Sequence, residues 1–235
     1  MESQLYLYPS LRKKFKRPIE SFRDIFNERV FTIFENIESE ADEVANKYYE
    51  DIMSDFDEII DPLSVSEDAI EYGLNHYLSL NLVRYNIIAF SIVALYQIWE
   101  QSVRLFLYRE IEHTEKINIS SFCTNISKII LKFSEYNVNI KEMQCWDAID
   151  ELRLLCNAIK HGDGESAKEL LKKNPPLFKK SLSGKPALEY NITTLLEETL
   201  DLSPDLLTYY SKSLLDFWDK LPERSYIKKQ EDLVK

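Results

Sequence analysis

The chain has 235 residues and a mass of 27.8 kDa, enough for one large domain. At 45% hydrophobic, 12% aromatic and 29% charged, it can fill a sizeable core, which excludes disorder as its main state. Four glycines in the whole chain argue against sandwiches, barrels and dinucleotide-binding sheets, whose turns and phosphate loops consume glycine. A formal net charge of −11, from 40 acidic and 29 basic residues, excludes a broad basic face for nucleic acid, so any such site is a local pocket. The composition predicts an all-α fold.

In chain order, residues 1–18 form a basic N-terminal arm around Leu11-Arg12-Lys13-Lys14-Phe15-Lys16-Arg17, either a solvated tail or a contact to RNA or a protein partner. Pro18 opens the first helix. Its apolar positions Phe22, Ile25, Phe26, Val30, Ile33, Phe34 and Ile37 recur at three and four residues, and the helix runs on past Val44, Tyr48 and Ile52 to the break at Asp61-Pro62. Asp55-Phe56-Asp57-Glu58 lacks the glycine and spacing of a calcium loop and reads as a solvated face. Ser66-Glu67-Asp68-Ala69 reads as the cap of a second helix that extends to about Ile111 with a bend at Gly73. Its middle, residues 87–95, is apolar nearly all round and predicts the central helix of a bundle. That run is bounded by Arg84 and Glu100 and falls short of the ~20 residues of a membrane span, so no membrane association is expected. Met1-Glu2-Ser3-Gln4 carries no signal-peptide pattern.

A third helix is predicted over residues 121–136 and a fourth over 140–161, stopped by Gly162. A short helix at 166–173 ends before Pro175-Pro176. Residues 179–188 read as a polar loop and Tyr190-Asn191-Ile192-Thr193 as extended. Ser203-Pro204-Asp205 caps a last helix over 206–221, with Leu207, Tyr210, Leu214, Phe217 and Trp218 inward. Residues 223–235 are a charged tail that frays. The expected architecture is an antiparallel bundle of five or six helices over residues 19–163, with a C-terminal helical extension at 164–222 packed on it. Cys123, Cys145 and Cys156 are odd in number, without paired spacing, and lie in apolar stretches. They read as buried free thiols of a cytoplasmic protein. His76 and His113 have no nearby second histidine, so no metal site is expected. With no phosphate-binding glycine loop and no nucleophile elbow, no cofactor is expected either.

The stretch that points to chemistry is Asp150-Glu151-Leu152-Arg153-Leu154-Leu155-Cys156-Asn157-Ala158-Ile159-Lys160-His161-Gly162. At ~100° per residue, Trp146, Ile149, Leu152, Cys156 and Ile159 form a core stripe, and Arg153, Asn157, Lys160 and His161 share a neighbouring face with no acid among them. Imidazole suits proton removal and return near neutrality. Arginine and lysine supply fixed charge for a pentavalent phosphorus transition state, and an asparagine amide orients a phosphate or ribose hydroxyl. These are the parts of metal-independent RNA cleavage by a ribose 2′-OH. A two-fold dimer supplies the second histidine such a reaction needs. The same residues also make an ordinary helix ending, because cations favour the C-terminal dipole and glycine takes the left-handed position. Asp150 lies three residues before Arg153 and reads as its ion-pair partner. Glu100 pairs with Arg104 along its own helix, or stands behind Arg153 if the two helices meet.

From Leu152-Arg153 through Asn157, Lys160, His161 and Gly162, with a second echo at Tyr96-x-x-Trp99-Glu100, the sequence resembles the HEPN superfamily of all-helical domains over residues 19–161. The family's usual motif has four to six residues between arginine and histidine; here there are seven. The resemblance implies a metal-independent ribonuclease of prokaryotic phage defence or a toxin–antitoxin system, acting as a homodimer. It places His161, Arg153 and Asn157 in catalysis, Lys160 on phosphate, and Glu100 and Asp150 behind them. The other implied reading is a non-catalytic interaction or immunity module with a protein partner from the same defence system.

Overall fold

The computed structural model describes residues 3–55 and 61–228. The acidic run at residues 56–58 and the tail beyond residue 228 lie outside the described residues. The described chain is mostly α-helical, as the composition predicts. In order it forms strand β1 (Gln4–Tyr6), helices α1 (Pro9–Ile25), α2 (Ile37–Asp55), α3 (Pro62–Ile111), α4 (Ile126–Glu135), α5 (Trp146–His161), α6 (Glu165–Lys173) and α7 (Pro204–Lys220), and strand β2 (Arg224–Tyr226).

Helix α3 organises the molecule. Its 50 residues span about 75 Å at 1.5 Å per residue. Around Gly73 and His76 it packs on α2, and elsewhere along its length it meets α1, α5 and α7. Asp61, not Ser66, is the cap: its carboxylate accepts the Leu63 N–H at 3.1 Å, and Pro62 occupies the first turn, where a missing N–H costs nothing. By length and composition α3 is apolar enough to cross a bilayer, with an 18-residue window of mean hydropathy 1.6. One side of α3, at Ile88, Ala89, Ile92, Leu95 and Trp99, is buried in the protein's own core. Gly73 marks a close approach to α2, since a Cβ there would lie 2.7 Å from Ala45 Cβ and 2.9 Å from the Ala41 carbonyl.

Both chain ends depart from the sequence expectation. The basic stretch is helical and built in. Leu11, Phe15 and Ile19 line the buried side of α1, and Pro18 sits inside the helix rather than opening it. The Arg12 guanidinium donates to the carbonyls of Trp218 and Leu221, and Lys16 pairs with Asp219 at 2.6 Å. These cations close the C-terminus of α7, where orphan carbonyls and the helix dipole favour positive charge. The tail is ordered as far as described: β2 pairs antiparallel with β1, Leu5 opposite Ser225. The first two predicted turns of chain also differ. The expected single helix through Ile52 is interrupted by a π-helical turn at Phe26–Val30 and a 3-10 turn at Phe31–Phe34, which let the chain leave α1 and start α2.

Helix α7 belongs to the core and is not an appendage. Tyr210, Leu214, Phe217 and Trp218 are fully buried. Trp218 stacks on Phe15 with ring centroids 4.8 Å apart, and Phe217 meets Trp99 edge-on at 5.1 Å. Helix α4 starts later than predicted, at the Asn125 cap, whose side chain accepts the Lys128 N–H at 3.0 Å. Residues 140–145 form a 3-10 turn and a bend ahead of α5.

Candidate functional site

Helix α5 buries Ile149, Leu152, Leu155, Cys156 and Ile159 against the rest of the core. It lies along α3, where the Cys156 thiol faces the Ile92 carbonyl at 3.8 Å. Burial pushes that thiol pKa up, which leaves Cys156 a packing residue. The predicted polar face is present on the other side. Arg153 and Asn157 are half-buried, and Lys160 and His161 are exposed on the last turn.

The four residues differ in their freedom. Arg153 is held by Asp150, with its Nε and Nη2 both 2.9 Å from one carboxylate oxygen. Lys173 of α6 approaches the other oxygen at 3.3 Å, so the predicted ion pair is real and has a third member. Asn157 donates weakly to the Ser166 hydroxyl at 3.4 Å, at the start of α6. Among the described residues the side chains of His161 and Lys160 make no hydrogen bond or ion pair.

Glu100 lies on the neighbouring part of α3. It accepts the Tyr96 hydroxyl at 3.1 Å and makes no ion pair with Arg153 within 4 Å among the described residues. The expected Glu100–Arg104 pair is not formed either. Arg104 instead donates to the carbonyls of Ile119 and Phe122, both at 2.8 Å. Glu100 and Arg153 nonetheless act on one group: burial raises the Tyr96 pKa, Glu100 raises it further and Arg153 opposes this.

The end of α5 is closed by the predicted Gly162 and by residues that the sequence does not signal. Gly162 has φ +69° and ψ −134°, a region essentially reserved for glycine, and a Cβ there would lie 2.8 Å from the Ile192 carbonyl. Thr194, buried, donates its hydroxyl to the Ala158 carbonyl at 2.9 Å and lies 3.3 Å from that of Ile159. Tyr85 of α3 donates to the Thr194 carbonyl at 2.8 Å, and the Leu200 N–H donates to Tyr85 at 3.3 Å. Burial pushes the Tyr85 pKa up to about 12. Residues 190–200 therefore form a strap, not the extended segment predicted, that reaches the Ala158 and Ile159 carbonyls in the last turn of α5 and leaves the His161 ring outside. Thr194 lies more than thirty residues from the carbonyls it caps, so no local pattern marks it.

His113 lines a separate cavity near Lys14 and Arg109, and His76 lies 3.2 Å from Glu40 on the α2–α3 hairpin. Among the described residues no group of three or more His, Cys, Asp or Glu side chains is gathered for a metal ion. A scan of family models, a search of curated proteins and a search of solved structures each find no match to this chain.

Proposed function

We propose that this chain is a metal-independent endoribonuclease of HEPN type, working in prokaryotic phage defence or a toxin–antitoxin system in the cytoplasm. The observation that carries this reading is an imidazole, His161, held in solvent beside Lys160 on a helix end that is fixed from within by Thr194. In two copies, one imidazole takes the proton of a ribose 2′-OH. The O2′–P bond forms, the P–O5′ bond breaks, and the second copy's imidazolium returns a proton to O5′. Lys160 sits where it offsets charge on the phosphate. Asn157, one turn back along the helix, and Arg153, two turns back and restrained by Asp150, orient the phosphodiester.

The grip of Asp150 on Arg153, together with the net charge of −11, favours a second reading. In it the chain is a non-catalytic helical module that binds a protein of the same system. Cleavage of RNA in EDTA by the native chain and by His161→Ala decides between them. The native chain is expected to leave 2′,3′-cyclic phosphate ends, and His161→Ala to cut about 10²–10⁴ times more slowly, the usual contribution of a general acid–base group. Equal rates, or no cleavage by either protein, overturn the enzyme reading.

A further inference from the structure

Charge is spread unevenly along the chain. Residues 37–82 hold 13 of its 40 acidic residues but only Lys47 of its 29 basic ones, so this stretch carries −12 and the other 189 residues together carry +1. The stretch builds the α2–α3 hairpin. Its buried side chains Ile37, Ala41, Val65 and Ala69 lie outside the main core, whose members on α3 begin at Tyr85. A near-neutral body thus bears a separate, strongly acidic layer of two helices.

Two helices that meet along one seam leave a groove on each side of it. On one side the Tyr48 and Tyr72 rings stack with centroids 4.8 Å apart. On the other is an open groove of about 280 Å³ lined by Ala41, Ala45, Ile70, Gly73, Leu74 and Tyr77. Ile70 and Leu74 are 65% and 53% exposed, and the exposed Leu63 and Leu78 extend their stripe along α3. Glu38 and Asp42 stand at the α2 edge of the groove. Glu67 and Glu71 stand three residues before Ile70 and Leu74, on the same side of α3. Among the described residues none of these four carboxylates is ion-paired.

We propose that this groove is the docking site for a cationic amphipathic helix of a partner protein, which lies on α2 and α3 as the third helix of a bundle. Two observations select that occupant. Leu63, Ile70, Leu74 and Leu78 follow one another at seven, four and four residues and span about 23 Å, four turns of helix. That spacing is the one by which an amphipathic helix is held in a groove. Charge is the second observation. Carboxylates on both edges call for lysine or arginine beside the partner's apolar stripe. The −12 of the hairpin steers such a helix in, and it repels RNA, anionic lipid and the hairpin of a second copy. The groove shares no residue with the end of α5, so the proposal rests on neither reading of His161. Under the second reading it gives the partner a place and a chemistry.

The test uses the full chain and a synthetic helix of about 16 residues, about 24 Å long, with leucine at three- and four-residue spacing and lysine elsewhere. A twin peptide carries glutamate in place of lysine. By fluorescence anisotropy the lysine peptide is expected to bind one to one and the glutamate twin not to bind. The affinity is expected to fall with salt and to persist in about 0.5 M NaCl, where screening acts within about 4 Å, because the apolar contact remains. Ile70→Ser and, independently, Leu74→Ser are expected to weaken binding about tenfold, the loss of one apolar anchor. Asp42→Lys with Glu71→Lys is expected to weaken it by at least about tenfold. Glu142→Lys with Glu169→Lys, an equal change of charge at exposed positions on the body, is expected to leave it within about twofold, since charges far from the contact are screened. Circular dichroism of every variant is expected to match that of the native chain. No binding of the lysine peptide, equal binding of the two peptides, or binding that all three hairpin variants retain overturns the proposal. A loss in the body variant as deep as in the hairpin variants also overturns it, because the attraction is then to net charge alone. So does a native dimer that Leu74→Ser splits, or flotation with phosphatidylcholine vesicles that Leu74→Ser abolishes.

Discussion

Gly162 has the least conformational latitude of any residue at the candidate site. A side chain there meets a φ of +69° and a Cβ position 2.8 Å from the Ile192 carbonyl. Gly162→Ala is expected to destabilise the protein by about 1–3 kcal/mol, measured as a lower urea midpoint at unchanged slope. It is also expected to displace the strap at residues 190–200, seen as faster amide exchange at Thr194. Unchanged exchange there would show that the strap is held by Tyr85 alone. The stop at Gly162 was legible from the sequence, because glycine after Lys160-His161 is a helix-end pattern. The strap was not, because its hydrogen bonds join residues far apart in the chain and its composition is that of any polar loop.

At the scale of elements, the α2–α3 hairpin is held by small side chains. Ala41 and Ala45 on α2 meet Gly73 on α3, which lets the backbones close in. Gly73→Leu is expected to cost about 1–3 kcal/mol by overpacking, read as a lower thermal midpoint, while Leu74→Ala, exposed on the same helix, changes little. A sequence reading treats Gly73 as a bend, because glycine weakens a helix. Its role as a spacer depends on a neighbour that periodicity does not reveal. Periodicity served best where a helix has one clear apolar stripe, as in α5 and α7, and the stop of α3 at Ile111 was read correctly. It failed for the first predicted helix, where the π and 3-10 turns keep nearly helical spacing and so leave the apolar rhythm intact. It also failed for the basic arm: Leu11, Phe15 and Ile19 lie four residues apart, but the run of cations between them reads as solvent-facing until α7 supplies carbonyls for Arg12.

Across the whole molecule, four buried tyrosines set the alkaline limit of stability. Tyr85, Tyr96, Tyr136 and Tyr210 all have pKa values raised above the usual 10, chiefly by burial, and Tyr210 donates to Glu151 at 2.8 Å. A phenol with a raised pKa in the fold stays neutral where its unfolded counterpart ionises. The stability it contributes is complete below about pH 10 and falls as pH rises toward 12 and beyond. The slope is at most about 1.4 kcal/mol per pH unit for each tyrosine. Urea midpoints are expected to be level from pH 8 to about 9.5 and to drop steeply by about pH 11.5. Absorbance at 295 nm should show these four phenols ionising together with unfolding, after the exposed ones. A flat stability profile through pH 11.5 would mean that the buried hydroxyls reach water in the native state. The all-α class was legible from glycine count and apolar content. The arrangement around Trp218 was not, because it joins residues 15, 106 and 218, and no local pattern specifies which distant rings meet.

The pairing of Gln4–Tyr6 with Arg224–Tyr226, and of Phe15 with Trp218, has a consequence for biosynthesis. Proteins are made from the N-terminus at roughly 5–20 residues per second, and here the first elements wait for the last. Until the segment through residue 226 has left the ribosome, α1 lacks the helix it packs on and Arg12 lacks its carbonyl partners. Closure depends on contacts between sequence extremes, the slow kind, and a nascent chain stopped anywhere before α7 is left with an unfilled centre and an exposed, sticky α3.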